Sequence, residues 1–235
     1  MISLPIGALL TILIFLASMG VGNLPMYFNL HSSMLVGGGT VAILLFSCPN
    51  GVLVNLAREV RGLFSSTNNF GDVSKDLAEL SKDRDAATNS GDELVTYAKD
   101  LWMQGISQDL FVVLLSQKRK EIEQRSLDAI QCLKNLAKYP PALGMAGTVM
   151  GIVTLFQSLD GGITKIGPAL SLAMTATFFG LAIANGIVMP LADRLQIRNL
   201  AQKHYVTNVY QVLLLINQDE SSHLIEEEVH HRATA

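Results

Sequence analysis

Pro140-Pro141-Ala142-Leu143-Gly144-Met145-Ala146-Gly147-Thr148-Val149-Met150-Gly151-Ile152 is the stretch that decides the fold, together with a second one downstream. The second runs from Ile166-Gly167-Pro168-Ala169-Leu170 through Thr175-Ala176-Thr177 and Asn185-Gly186 to Met189-Pro190-Leu191-Ala192-Asp193-Arg194. A bilayer core takes about 20 apolar residues per helix, and both stretches are long enough. Neither holds an ionisable group between Ala142 and Leu159 or between Ile166 and Ala192. Small and hydroxyl side chains line both. They read as paired membrane helices that surround something polar without supplying the charge.

The rest of the chain extends this reading. Of 235 residues, 49% are hydrophobic and 16% charged, against about 25% charged in a soluble domain. No Asp, Glu, Lys or Arg precedes Arg58, which leaves room for two more spans, at about 4–22 and 33–55. Asn23, Pro25, Asn29 and His31 mark the turn between them. A cleaved signal peptide would need a basic n-region, and Met1 to Gly20 has no Lys or Arg. The expected fold is an all-α membrane protein with four transmembrane helices. A helical cytoplasmic domain lies between spans two and three, and a cytoplasmic helix follows span four. The boundaries are 1–57 for the first two spans, 58–139 for the cytoplasmic domain, 140–192 for the last two spans and 193–235 for the tail.

Twelve of the 17 basic residues lie in 58–138, four follow the fourth span, and Lys165 stands alone between spans three and four. The excess of Lys and Arg places the middle domain, the tail and both termini in the cytoplasm. A net charge of −3 with no basic face argues against nucleic acid as a partner. No spacing suggests a metal site, a cofactor or a catalytic constellation, so an enzyme is not expected. Cys48 in span two and Cys132 in the cytoplasmic part sit in different environments, so no disulfide is expected. Within the soluble part, Asp72 or Ser74 opens a helix toward Ala87, Asn89-Ser90-Gly91 breaks it, and Asp92-Glu93 opens the next. A longer helical pattern runs from Gln108 to Tyr139. In the tail, Leu191, Leu195, Leu200, Val206, Val209 and Leu213 form one stripe.

Small residues four apart allow helix backbones to approach closely in lipid. Gly147 and Gly151, Ala142 and Ala146, Ala169 and Ala173, Gly180 and Ala184, and Ala182 and Gly186 all fit, which points to a bundle or an oligomer. Thr148, Thr154, Ser171, Thr175 and Thr177 sit at membrane depth. Each can bond back to a carbonyl one turn earlier, or face an ion path. An ion path normally includes a membrane carboxylate or histidine. Spans three and four have none, so a protonation cycle would take its carboxylate from another polypeptide.

Pro141 through Gly151, Ile166 through Leu170, Thr177-Phe178-Phe179-Gly180, Ala184-Asn185 and Pro190 through Asp193 resemble the MotA/PomA stator subunits of bacterial flagellar motors, in the MotA/TolQ/ExbB superfamily. The likeness is close over about 139–195, and the four-span layout extends it. It implies a homopentamer around two copies of a MotB-like single-span protein, whose membrane aspartate binds the transported H+ or Na+. It also implies a cytoplasmic rotor protein that receives the torque. Carried over residue by residue, Thr148, Thr177 and Thr175 line the ion path, and Pro141 and Pro190 shape the cytoplasmic helix ends. Gly147, Gly151, Gly180 and Asn185 serve helix packing. Ala176 stands where sodium-type members carry a second threonine, which tilts the ion toward protons.

The chain departs from the pattern on its cytoplasmic side. The family's arginine-and-glutamate element aligns with Asp85 to Tyr97, where the arginine becomes Thr88 and the first glutamate Thr96. Arg84 and Glu93 are the substitutes in reach of a rotor. Two other readings stand beside the stator: an ExbB/TolQ-like motor, which would have three spans, and a non-conducting membrane scaffold.

Overall fold

A computed structural model describes residues 3–19, 27, 29–63, 70–82, 91–157, 163–218, 225, 227 and 229. Among these residues the only regular elements are helical. Helix α1 is Ser3–Met19 and α2 is Leu30–Ser47. Helices α3 (Asn50–Gly62) and α4 (Phe70–Lys82) follow, then α5 (Glu93–Met103) and α6 (Gln108–Leu136). The last three are α7 (Tyr139–Gln157), α8 (Ile163–Ile183) and α9 (Met189–Asn217). By length and composition, three described helical stretches can cross a membrane: Leu30–Ser47, Gln108–Gln157 and Ile166–Asn217. Helix α1, at 17 residues, is shorter and equally apolar in character.

The second span begins earlier and ends earlier than 33–55. Asn29 starts it, its side chain accepting from the backbone N–H of His31 at 3.0 Å and of Ser32 at 3.3 Å. It ends at Ser47 because Cys48 precedes Pro49, and proline pushes the residue before it out of the helical region. Cys48 is extended, with φ −109° and ψ 130°, and α3 is a separate helix. Two π-helical turns interrupt the apolar helices, at Met34–Gly38 and at Ala184–Val188. The second lies just ahead of Pro190, which has no N–H to offer the carbonyl four residues back. There the Met189 N–H reaches five residues back to the Ala184 carbonyl.

The chain divides into two compact units. One is made of 1–64 and 128–195, the other of 65–127 and 196–235. Residues 128–139, read from sequence as part of the soluble domain, therefore group with the apolar helices. In the first unit, Leu56 of α3 packs with Ala129, Ile130, Leu133 and Leu136 of α6 and with Leu195 of α9.

That cluster corrects the cysteine reading. Cys48 and Cys132 are joined by a disulfide, with their Cα atoms 6.5 Å apart. Cys48 is not inside the span but at the break that ends it, and Cys132 lies on the α6 face buried in the same cluster. A separation of 84 residues hides this proximity from the sequence.

In the second unit, Val73, Leu77 and Leu80 of α4 meet Leu94, Val95, Ala98 and Leu101 of α5. Phe111 and Leu115 of α6 and Val209, Val212 and Leu213 of α9 complete the core. Asp92 caps α5 by accepting from the N–H groups of Leu94 at 2.8 Å and Val95 at 3.1 Å. Its other oxygen accepts from the Tyr205 hydroxyl at 2.7 Å, which ties the cap to α9. Trp102 stacks on Phe111 and donates to the Asn217 side chain at 3.1 Å. Leu200 is not on the buried stripe of α9. It is 60% exposed, whereas Val206 of the expected stripe is buried and Tyr205 is buried beside it. The described part of α4 ends at Lys82, so the expected run to Ala87 falls on residues 83–90, outside the described ones.

Candidate ion path

Helices α7 and α8 lie nearly backbone to backbone. A Cβ added at Gly144 would stand 2.8 Å from the Ala176 carbonyl oxygen, and one at Gly147 2.5 Å from the Ala176 Cβ. At Gly151 it would stand 2.7 Å from the Ala173 Cβ and 2.9 Å from the Ala169 carbonyl oxygen. At Gly180 it would stand 2.5 Å from the Pro140 carbonyl oxygen. Thus Gly144, Gly147 and Gly151 form the α7 face, and Ala169, Ala173, Ala176 and Gly180 form the α8 face. Without a hydrophobic drive between helices in lipid, this close approach is the main source of attraction. Gly144 was not singled out from sequence, although its spacing to Gly147 and Gly151 continues one helical face. Ala142 and Ala146 point away from this contact and are exposed.

The close approach brings two hydroxyls together. Thr148 on α7 and Thr177 on α8 are hydrogen-bonded to each other through their side chains. Thr148 Oγ1 also lies 3.1 Å from the Gly144 carbonyl and 3.2 Å from the Ala173 carbonyl. Both threonines remain half-buried, so the pair forms a partly open cluster of oxygens. Two hydroxyls share the protons, and two carbonyls accept. The cluster can pass a proton or offer oxygens to a cation, but holds no group that ionises near neutral pH.

Thr175 does not join them. Two residues from Thr177, it is turned about 200° around the helix. It is 7% exposed, lies 2.8 Å from the hydroxyl of the fully buried Ser32 of α2, and donates to the Ser171 carbonyl at 2.7 Å. Ser32 also reaches the Leu172 carbonyl at 3.1 Å. The structure thus separates the expected trio into a half-open pair and a buried α2–α8 tie. Ser32 carried no sequence signal of its own. Thr154 simply bonds back to the Met150 carbonyl at 2.9 Å.

Residues 87–208 match the protein-family model of the MotA/TolQ/ExbB proton channel family. The chain belongs to this family. The family's "Chemotaxis protein PomA" of Vibrio alginolyticus is 24% identical over 188 residues, 75% of this chain and 73% of the relative. "Motility protein A" of Cereibacter sphaeroides is 25% identical over 216 residues, 88% of this chain and 85% of the relative. Among solved structures, that of C. jejuni MotAB matches with a TM-score of 0.77 at 16% identity, covering 96% of this chain and 94% of that one. The flagellar MotAB stator complex from Bacillus subtilis gives 0.75, also at 16% identity, covering 93% and 92%. At such identities these two matches speak for the fold.

The remaining residues singled out by the MotA/PomA resemblance fall in different places. Pro141 is half-buried in the first turn of α7, where its missing N–H costs nothing. Pro190 is exposed in the first turn of α9. Asn185 lies in the π turn and is exposed. Arg84 lies outside the described residues.

Glu93 is held inside its own unit. Lys118 Nζ lies 2.7 Å from Glu93 Oε1, and Arg125 Nη1 donates to the two Glu93 oxygens at 3.0 and 3.3 Å. Partial burial raises the Glu93 pKa, but the hydrogen bond from Lys118 and the charges of Arg125 and Lys118 together outweigh it and hold the carboxyl below its ordinary 4.5. Arg125 also pairs with Glu121. Thr96, which replaces the family's glutamate, donates to the Asp92 carbonyl at 2.9 Å. Among the described residues, no group of three His, Cys, Asp or Glu side chains could hold a metal ion.

Proposed function

We propose that this chain is the ring-forming stator subunit of an ion-driven rotary motor that powers flagellar motility. The observation that carries the proposal is the Thr148–Thr177 hydroxyl pair at the seam of two helices that contain no carboxylate. A proton (or sodium) path built there needs an acid from outside, and a MotB-like single-span protein with a membrane aspartate provides one. In this reading five copies surround two copies of that partner. Ion transfer between the partner's aspartate and the threonine seam turns the ring, and the unit built from α4, α5, α6 and α9 passes torque to a cytoplasmic rotor.

The same reading makes α1 a fourth span, with both termini in the cytoplasm of a bacterial inner-membrane protein. The near-complete coverage of MotAB chains by this one supports four spans over the three of ExbB/TolQ relatives. The relatives named for motility support a flagellar output.

The test is co-purification followed by mutation. The chain should bring down a single-span protein carrying a membrane aspartate. Thr177→Val and Pro190→Ala should lower ion-driven swimming while the complex still assembles. A stable homo-oligomer that never binds such a partner would remove the proposal and leave a scaffold.

A further inference from the structure

We propose that Cys48 and Cys132 form a reversible thiol–disulfide staple that fastens the α2–α3 break to α6 when the cell meets a hydroperoxide. The two cysteines come from elements 84 residues apart, yet their Cα atoms lie 6.5 Å apart, inside the 4.4–6.8 Å range a disulfide requires. They share one apolar cluster with Leu56, Leu133 and Leu136. Cys132 is 7% exposed, whereas Cys48 is half-buried at an extended residue between two helices. Of the two residues, Cys48 is therefore the less enclosed by the cluster.

Compartment decides what such a pair does. In the orientation proposed above, on which this inference rests, the break after α2 and the end of α6 face the cytoplasm. Thiols there are kept reduced, and disulfides that form are transient and redox-sensing. The chemistry balances with a hydroperoxide as oxidant. The Cys48 thiolate attacks the outer peroxide oxygen, giving a sulfenic acid and releasing an alcohol, or water from hydrogen peroxide. The Cys132 thiolate then attacks the sulfenic sulfur, closes the disulfide and expels hydroxide, which takes a proton to become water. Two electrons pass from the two thiols to the peroxide. A dithiol reductant reverses the step by exchange. Once closed, the staple holds the end of α2 and the start of α3 against α6, so those elements no longer move independently.

The experiment uses the full chain in its own cells. Cells are acid-quenched before and after a hydrogen peroxide pulse, and the denatured protein is tagged with a polyethylene-glycol maleimide. Two tags before the pulse, none after it, and two again after a dithiothreitol chase are expected. Cys48→Ser and Cys132→Ser should each carry one tag before the pulse. Swimming should slow on peroxide in the natural chain and hold its speed in both variants. Two tags after a pulse that oxidises a control dithiol protein would overturn the staple. No tags before the pulse would make it a permanent disulfide and overturn reversibility. A dimer on a non-reducing gel would place the bond between copies and overturn the intrachain pairing. Equal slowing in the variants would overturn its effect on the motor. A topology reporter at position 27 tests the orientation separately: a cytoplasmic signal there overturns the proposed orientation whatever the tags show.

Discussion

Replacing Gly180 by alanine tests the tightest backbone approach among the glycines described. The added Cβ would stand 2.5 Å from the Pro140 carbonyl oxygen and 3.2 Å from the Gly144 Cα. Ordinary contact begins at 3.4 Å, so the first gap is short by about 0.9 Å. Both obstacles are backbone in the first turns of α7, and no rotamer change relieves them. The helices must part at this end. Overpacking of this kind costs about 1–3 kcal/mol, a factor of roughly 5 to 150 in the folding equilibrium. Thr177 lies one turn away on the same helix, so the separation should also weaken its bond to Thr148.

The assay is reversible unfolding of the detergent-solubilised protein, followed by helical circular dichroism. Gly37→Ala is the control, because a Cβ there meets nothing within 4 Å. It should leave stability within about 0.5 kcal/mol of the natural protein, or raise it through better helix propensity. If Gly180→Ala proves as stable as Gly37→Ala, the α7–α8 seam is looser than described, and the small-residue account of it fails.

Other outcomes follow from the same contacts. A double-mutant cycle with Thr148→Val and Thr177→Val should give a coupling of about 0.6 kcal/mol, and below about 1.7, by the same unfolding assay; zero coupling would mean the hydroxyls do not interact. Asp92→Ala removes a helix cap and the acceptor for Tyr205, so thermal unfolding of the second unit should show a loss of about 1–2 kcal/mol. Asp92→Asn should recover most of it. Glu93 has a folded pKa below its unfolded value of about 4.5, so its stabilising share is present at neutral pH and fades as pH falls below 4.5 through the folded value. In Glu93→Gln that acid-side loss should be smaller, measured as the change in unfolding midpoint between pH 7 and pH 3. An unchanged pH profile would contradict the pairing with Lys118 and Arg125.

The sequence made the apolar helices legible because lipid imposes a crude rule: long apolar runs without charge. Pro140-Pro141 fits a helix start through backbone chemistry that needs no tertiary context. Asp92 does the same for α5, whereas Asn29, read as part of a turn, caps α2. The Thr148–Thr177 pair was readable only as two polar residues at membrane depth. Their meeting depends on the register between α7 and α8, which Gly144, Gly147, Gly151 and Gly180 set. Thr175 shows the limit of such reading. Its type and depth match those of Thr177, but two residues of helix turn it onto Ser32. Cys48 and Cys132 were misread for a similar reason. The Pro49 break carries Cys48 out of the span, and no local pattern states which face of α6 it then meets.

The charge-free seam and the occupied Glu93 belong to different units of the chain. At the seam the hydroxyl pair has no carboxylate beside it in α7 or α8, so under the proposed function the acid would sit on another polypeptide and ion flow would depend on assembly. In the second unit, Glu93 and Glu121 are matched by Lys118 and Arg125, two negative groups against two positive. That cluster has no net charge with which to address a rotor from a distance, and its pairs spend their hydrogen bonds on one another. Under the proposed function, a rotor that engages α5 would meet a neutralised surface. Recognition there would rest on shape and on breaking those pairs, at short range, rather than on long-range attraction.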